Sequence, residues 1–226
     1  MEKYGTIPPR FTKAWWGHYL YYYKFHAAAV AFVVFMFGSI IWSNVTRTHY
    51  DLHLSYVGVA NITDEKEAVL SEYFLPEIEE VTGNDKKEVE YIYYGFESAD
   101  QGEMVSEYEY AYQMKLVAEM QAGESDLYLF TGTNAKDLEG FGEGFMEADE
   151  LAGKQCPEDK IIRNEEGRAF AVSIAGNEML ESLGIDTSDL YVAVRLLYDK
   201  NKENENQINI HKNSIKAARL LIGDRI

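Results

Sequence analysis

The chain has 226 residues, 46% of them hydrophobic and 26% charged, and its 38 acidic against 21 basic side chains give a net charge of −17. Such an acidic chain repels nucleic acid, and a single cysteine excludes an intrachain disulfide or a Cys-rich metal site. Residues 1–47 hold five basic and one acidic side chain, which leaves −21 for residues 48–226.

Residues 1–24 are rich in aromatic side chains, among them Trp15, Trp16, Tyr19, Tyr21, Tyr22 and Tyr23, and Pro8-Pro9 sets the start of a helical stretch from Phe11 to Lys24. From Phe25 to Thr46 no Asp, Glu, Lys or Arg occurs. A helix rises about 1.5 Å per residue and crosses a hydrocarbon core in about 20 residues, so residues 25–46 are expected to span a membrane. The flanking Trp and Tyr belong at membrane–water boundaries, and residues 11–46 are expected to contact lipid. The apolar run is longer than a secretory signal's core of roughly 7–15 residues and ends without a small-x-small site, so it reads as an uncleaved signal anchor. Lys3, Arg10, Lys13 and Lys24 precede the span and an acidic segment follows it. The excess of Lys and Arg keeps the N-terminus cytoplasmic, which makes the chain a single-pass protein of the cell membrane with residues 47–226 extracytoplasmic.

Beyond Arg47 the pattern alternates. Leu52 to Val59 reads as a strand and Asp64 to Val81 as an amphipathic helix kinked or split at Pro76. Val89 to Phe96 reads as a strand, Glu103 to Ala122 as a helix and Asp126 to Phe130 as a short strand. A Gly-rich acidic stretch, 131–150, holds a short helix at 134–141. Ala169 to Ile174 and Tyr191 to Leu197 are further strands, 199–207 is a solvated loop, and Ile208 to Ile222 is a C-terminal helix. The order implies right-handed crossovers and a three-layer α/β domain with a mostly parallel sheet.

In an open parallel sheet ligands gather outside the carboxyl ends of the strands. That rule nominates Asn61 and Thr63 after the first strand, Tyr94, Glu97 and Ser98 around the end of the second, Thr131, Thr133 and Asn134 after the third, and Asn177 after Ile174. Each is also an ordinary cap or turn residue type. Gly140-Phe-Gly-Glu-Gly lacks the Lys-Ser/Thr of a phosphate loop. Asp199-x-Asn201-x-Glu203 opens like a calcium loop but has Asn204 where glycine is needed and Ile210 where the bidentate Glu belongs. His49 and His53 have helical i, i+4 spacing within a strand-like pattern, without an acidic ligand motif. Sequons at Asn44 and Asn61 matter only in a eukaryotic secretory pathway. No catalytic residue, metal or cofactor is nominated, and a non-enzymatic role is expected.

The passage Lys115-Leu-Val-Ala-Glu-Met-Gln-Ala-Gly-Glu-Ser-Asp-Leu-Tyr-Leu-Phe, followed by Leu138 and by Phe145-Met-Glu-Ala-Asp-Glu-Leu151, resembles extracellular solute-binding proteins of the type 2 periplasmic-binding fold. The likeness covers roughly residues 50–151. The aromatic lead, single helix and compact domain are also similar to membrane proteins of Gram-positive, Clostridia-type bacteria. The resemblance implies a truncated periplasmic-binding-like fold with an abbreviated second lobe, tethered by a helix where such proteins use a lipidated cysteine. It implies a membrane-anchored binding or sensing domain for a small solute. The alternative is a scaffold or interaction subunit that docks on another membrane protein, whether permease, sensor or complex subunit.

Overall fold

The computed structural model describes residues 8–46, 48–58, 63–83, 85–95, 107–123, 125–135, 138, 140 and 142–223. Two compact units divide the chain, Met1–Thr48 and His49–Ile226.

The first unit is built on one helix, α1 (Lys13–Thr46). Thr12 caps it: its hydroxyl donates to the Pro9 carbonyl at 2.8 Å and accepts from the Trp15 N–H at 3.2 Å. Such a cap satisfies a donor that the first turn leaves orphaned. Within α1, Tyr23–Ser43 is long and apolar enough to cross a membrane, and none of its residues is buried in the protein. The aromatic lead from Lys13 and the apolar run are thus one continuous helix.

The second unit is an α/β domain around a six-stranded sheet with spatial order β2-β1-β3-β6-β5-β4. The elements are β1 (Leu52–Gly58), α2 (Asp64–Phe74), β2 (Val89–Gly95), α3 (Glu107–Ala122), β3 (Leu127–Thr131), α4 (Ala148–Ala152), β4 (Ile161–Arg163), β5 (Ala169–Ser173), α5 (Glu178–Ser182), β6 (Leu190–Val194) and α6 (Glu205–Ile222). Strand alternation sorts the core into two faces. Leu52, Leu54, Tyr56, Leu127, Leu129, Val192 and Val194 meet α2, α4, α5 and α6 through Leu70, Phe74, Leu151, Leu180, Ala217 and Leu221. Val57, Tyr94, Tyr128, Phe130, Phe170 and Ala193 meet Leu116 and Met120 of α3 on the other face. Helices on both faces make three layers. Because β1 to β2 steps one way along the sheet and β2 to β3 steps back, right-handed crossovers require α2 and α3 on opposite faces.

The expectation of a mostly parallel sheet is corrected. β1 pairs in parallel with β2 and β3, whereas β3–β6, β5–β6 and β4–β5 are antiparallel, so the sheet is mixed. The reason lies in the connections. α5 has five residues, about 7.5 Å of helix, and cannot carry the chain back along a strand of about 16 Å. Its loop closes on itself through Gly176 N–H to Thr187 Oγ1 and Ile174 N–H to the Leu190 carbonyl, each 2.9 Å. The chain therefore re-enters from the same edge and β6 runs antiparallel. Likewise β4 and β5 are joined by a tight turn in which Asn164 N–H donates to the Arg168 carbonyl at 3.0 Å.

Pro76 ends α2 at Phe74 rather than kinking it, because proline disfavours helical geometry in the residue before it. Ile78 nevertheless stays in the core at 1% exposure. Asn204 caps α6 by accepting from Asn206 and Gln207 N–H groups at 3.1 and 3.4 Å, which converts the end of an expected loop into a helix start.

Candidate functional site

β1, β2 and β3 end at Gly58, Gly95 and Thr131, and the antiparallel β6 begins beside them, since Thr131 pairs with Leu190. This carboxyl edge is the place where loops of an α/β sheet converge on ligands. Three of the nominated residues are gathered there. The Thr131 hydroxyl donates to Asn134 Oδ1 at 2.6 Å, and the Thr133 N–H donates to the Asp189 carboxylate at 3.3 Å. Gly132 N–H donates to the Asp189 carbonyl at 2.9 Å, which ties the turn after β3 to the turn before β6. A Cβ on Gly132 would press into the Asp189 carboxylate and displace that side chain.

Thr63 is the N-cap residue of α2, exposed, with no side-chain capping bond; its carbonyl accepts from Glu67 N–H at 2.9 Å. Tyr94 points instead under α3: it is fully buried, its ring lies 5.2 Å from Lys115 Nζ, and its hydroxyl is buried without a hydrogen bond. Asn177 is 1% exposed and serves the fold, its Oδ1 capping Leu180 N–H at 3.1 Å and its Nδ2 donating to the Leu221 carbonyl at 2.8 Å. Asn61, Glu97 and Ser98 lie outside the described residues.

The structure adds a feature that the strand-end rule passed over. β1 and β2 each finish in Tyr-x-Gly, Tyr56-Val57-Gly58 and Tyr93-Tyr94-Gly95, and parallel pairing sets Tyr56 beside Tyr93 and Gly58 beside Gly95. The two rings stack at 6.0 Å between centroids and 19° between planes. Each lies forward along its strand over the glycine two residues on, so that a Cβ on Gly58 would come within 3.2 Å of Tyr56 Oη and one on Gly95 within 3.0 Å of Tyr93 Oη. The glycines make room for the rings. The Tyr93 hydroxyl donates to the Gly58 carbonyl at 3.1 Å. Tyr56 is 3% exposed, and no hydrogen bond to its hydroxyl occurs among the described residues. Burial, then the neighbouring Tyr93 and the Asp186 carboxylate, push the Tyr56 phenol up to about 12. Burial and Asp189 likewise raise Tyr191. The repeat was visible in the sequence as two tyrosine–glycine pairs at strand ends, but its register was not.

A second polar group occupies the opposite end of the sheet. Arg195, 2% exposed, pairs with Asp126 at 2.5 Å and donates from Nε to the Ser125 carbonyl at 2.9 Å and from Nη2 to the Gly123 carbonyl at 3.0 Å. Its guanidinium sits 4.4 Å over the Tyr198 ring, and the Tyr198 hydroxyl donates to the Met120 carbonyl at 2.5 Å. Together they satisfy the carbonyls that end α3, the task of a helix C-cap. Ser55 donates to Glu119 at 2.6 Å beneath the same helix, and His53 meets Glu90 at 2.6 Å. Burial raises the Tyr128 phenol and lowers the His211 imidazole. The hydrogen bonds of the Arg195 guanidinium among the described residues go to Gly123, Ser125 and Asp126 in the link between α3 and β3, so this cluster is a clamp, with Nη1 buried and unpartnered. Among the described residues no group of three His, Cys, Asp or Glu is placed to hold a metal ion.

Comparison with protein-family models, curated proteins and solved structures returned no match to the chain.

Proposed function

We propose that this chain is a single-pass membrane protein whose α/β domain lies on the extracytoplasmic side and serves as a binding or sensing module, a reduced relative of solute-binding proteins. The observation that carries the reading is the convergence of Thr131, Thr133, Asn134 and the Tyr56–Tyr93 pair on one edge of the sheet, beside the starts of α2 and β6. α1 supports the tether, and the basic residues before it against the −21 that follows support the orientation. All described strands belong to one sheet, so ligand would meet an open edge of a single lobe. Ligand screening by thermal shift on the detergent-solubilised protein, with amino acids, sugars, peptides and divalent cations, tests the module. A stabilisation of RT ln(1 + [L]/Kd) is expected for the right class, and no shift with any class refutes it. Protease accessibility in intact cells tests the side of the membrane: a domain protected from external protease refutes the orientation.

One observation favours a second reading, an interaction or scaffold subunit. Asn177 and Tyr94 are committed to the interior, and one lobe cannot enclose a solute by closing on a partner lobe. Purification in mild detergent separates the two. A stoichiometric membrane partner retained by residues 1–46 alone favours the scaffold, and its absence together with a ligand-induced shift favours the binding module.

A further inference from the structure

We infer that the outward face of α3 is where two copies of this chain meet, helix against helix and antiparallel. The inference goes beyond the binding-module reading and draws on the tether alone.

α3 is apolar on both sides. Toward the sheet it buries Leu116 and Met120, and the one carboxylate between residues 110 and 122, that of Glu119, is turned inward and accepts from Ser55 at 2.6 Å. The side away from the sheet is the one that a surface helix normally covers with charged and polar groups. Here it presents Tyr110 at 61% exposure and Met114 at 54%, one turn apart, with Ala111, Ala118 and Ala122 exposed beside them. The only charge on this strip is that of Lys115, whose Nζ lies 5.2 Å from the Tyr94 ring. An apolar strip of this kind gains free energy when it is covered.

The order of side chains selects a second copy as the cover. The bulky residues, Tyr110 and Met114, lie toward the start of the strip, and the small ones, Ala118 and Ala122, toward its end. A two-fold axis at the level of residue 116 sets Tyr110 against Ala122 of the partner copy and Met114 against its Ala118. Each bulky side chain is then met by a small one, and the same patch serves both copies, as an isologous contact requires. The alanines let the two helix axes approach to about 8 Å, the near end of the packing range. A parallel pairing would instead set Tyr110 on Tyr110. Charge argues the same way. Residues 48–226 carry −21, which repels a second copy wherever carboxylates face one another, and this strip brings none into the contact. A single helix pair is smaller than the roughly 1,200–2,000 Å² of a stable interface, so the contact is weak between free domains. It forms between copies that α1 confines to one membrane, where the effective concentration is high.

The test uses full-length protein reconstituted in lipid vesicles. Tyr110→Cys and Ala122→Cys variants with different tags are mixed and treated with a short bismaleimide, and the parent protein, whose Cys156 is buried, supplies the blank. Cross-links are expected between position 110 of one copy and position 122 of the other. Links from 110 to 110 are not, because the two-fold axis sets those positions about 18 Å apart along the helices. Energy transfer between differently labelled copies should saturate as the protein-to-lipid ratio rises. Met114→Glu and Ala118→Glu, which bury a carboxylate in the contact, should raise the density needed at least tenfold. Val69→Glu, at an exposed apolar position of α2, should leave it unchanged. Circular dichroism confirms that each variant is folded. Energy transfer indifferent to Met114→Glu, or lost equally in Val69→Glu, overturns the interface, and links from 110 to 110 in place of 110 to 122 overturn the antiparallel pairing. Protein that fails to float with the vesicles refutes the tether, whereas protein that floats without cross-links refutes the dimer and leaves the tether standing.

Discussion

Arg195 ties three pieces of backbone together, and its removal is the sharpest perturbation of the fold. In Arg195→Met the aliphatic stem is kept and the guanidinium lost. The Asp126 carboxylate, 4% exposed in its side chain, then loses its cation, and the Ser125 and Gly123 carbonyls lose their donors. Removing one partner of a buried ion pair costs about 3–5 kcal/mol, because the surviving charge stays buried and unpaired. That is a large part of the roughly 5–15 kcal/mol that holds a domain folded. For a domain of this size each kcal/mol moves Tm by about 2–4 °C, so a fall of roughly 6–20 °C is expected by circular dichroism on the detergent-solubilised protein. The double variant Asp126→Asn, Arg195→Met removes both charges and should recover part of the loss, with a coupling of about 1–3 kcal/mol. A single variant within about 1 kcal/mol of the parent, or a double variant that simply sums the two singles, refutes the clamp.

Gly123 has φ +75°, and a Cβ there would stand 2.6 Å from Arg195 Nη1 and 2.8 Å from Tyr198 Cε2; Gly123→Ala should cost about 2–4 kcal/mol, combining left-handed strain with overpacking, measured by urea unfolding. Asn204→Ala removes the α6 cap and should cost about 1 kcal/mol, with faster amide exchange at Asn206 and Gln207. Tyr56 titrates at about 12 in the folded protein against an ordinary 10.0, so the folded state favours the neutral phenol; the stabilisation is complete below pH 10 and is lost as pH rises through 12. Tyr56→Phe should flatten the stability profile over pH 10–12. The Cys156 thiol, 7% exposed and raised to about 11 by burial and Asp149, should resist thiol reagents at pH 8 until the protein unfolds.

Local chemistry by itself determined much of this protein. The uncharged run after Lys24, the helical periodicity of Leu116 and Met120 and the strand at Leu52 depend on neighbours in the chain, and the folded protein contains each of them, whereas the helix expected to reach Val81 ends at Phe74. The carboxyl-edge rule named Thr131, Thr133 and Asn134, which share the turn after β3. It failed to foresee Tyr94 beneath α3, since residues at a strand end alternate faces and only the register against β1 tells which face is covered. β4, three residues long, was too short to carry a period.

Only the tertiary structure decided the direction of β6, because that depends on whether α5 is long enough to cross the sheet. It alone paired Tyr56 with Tyr93 and set Arg195 against Asp126, 69 positions apart in the chain. Periodicity reports which face a residue occupies within its own element, while the partner across a sheet is fixed by strand order and register, which are properties of the whole packed core.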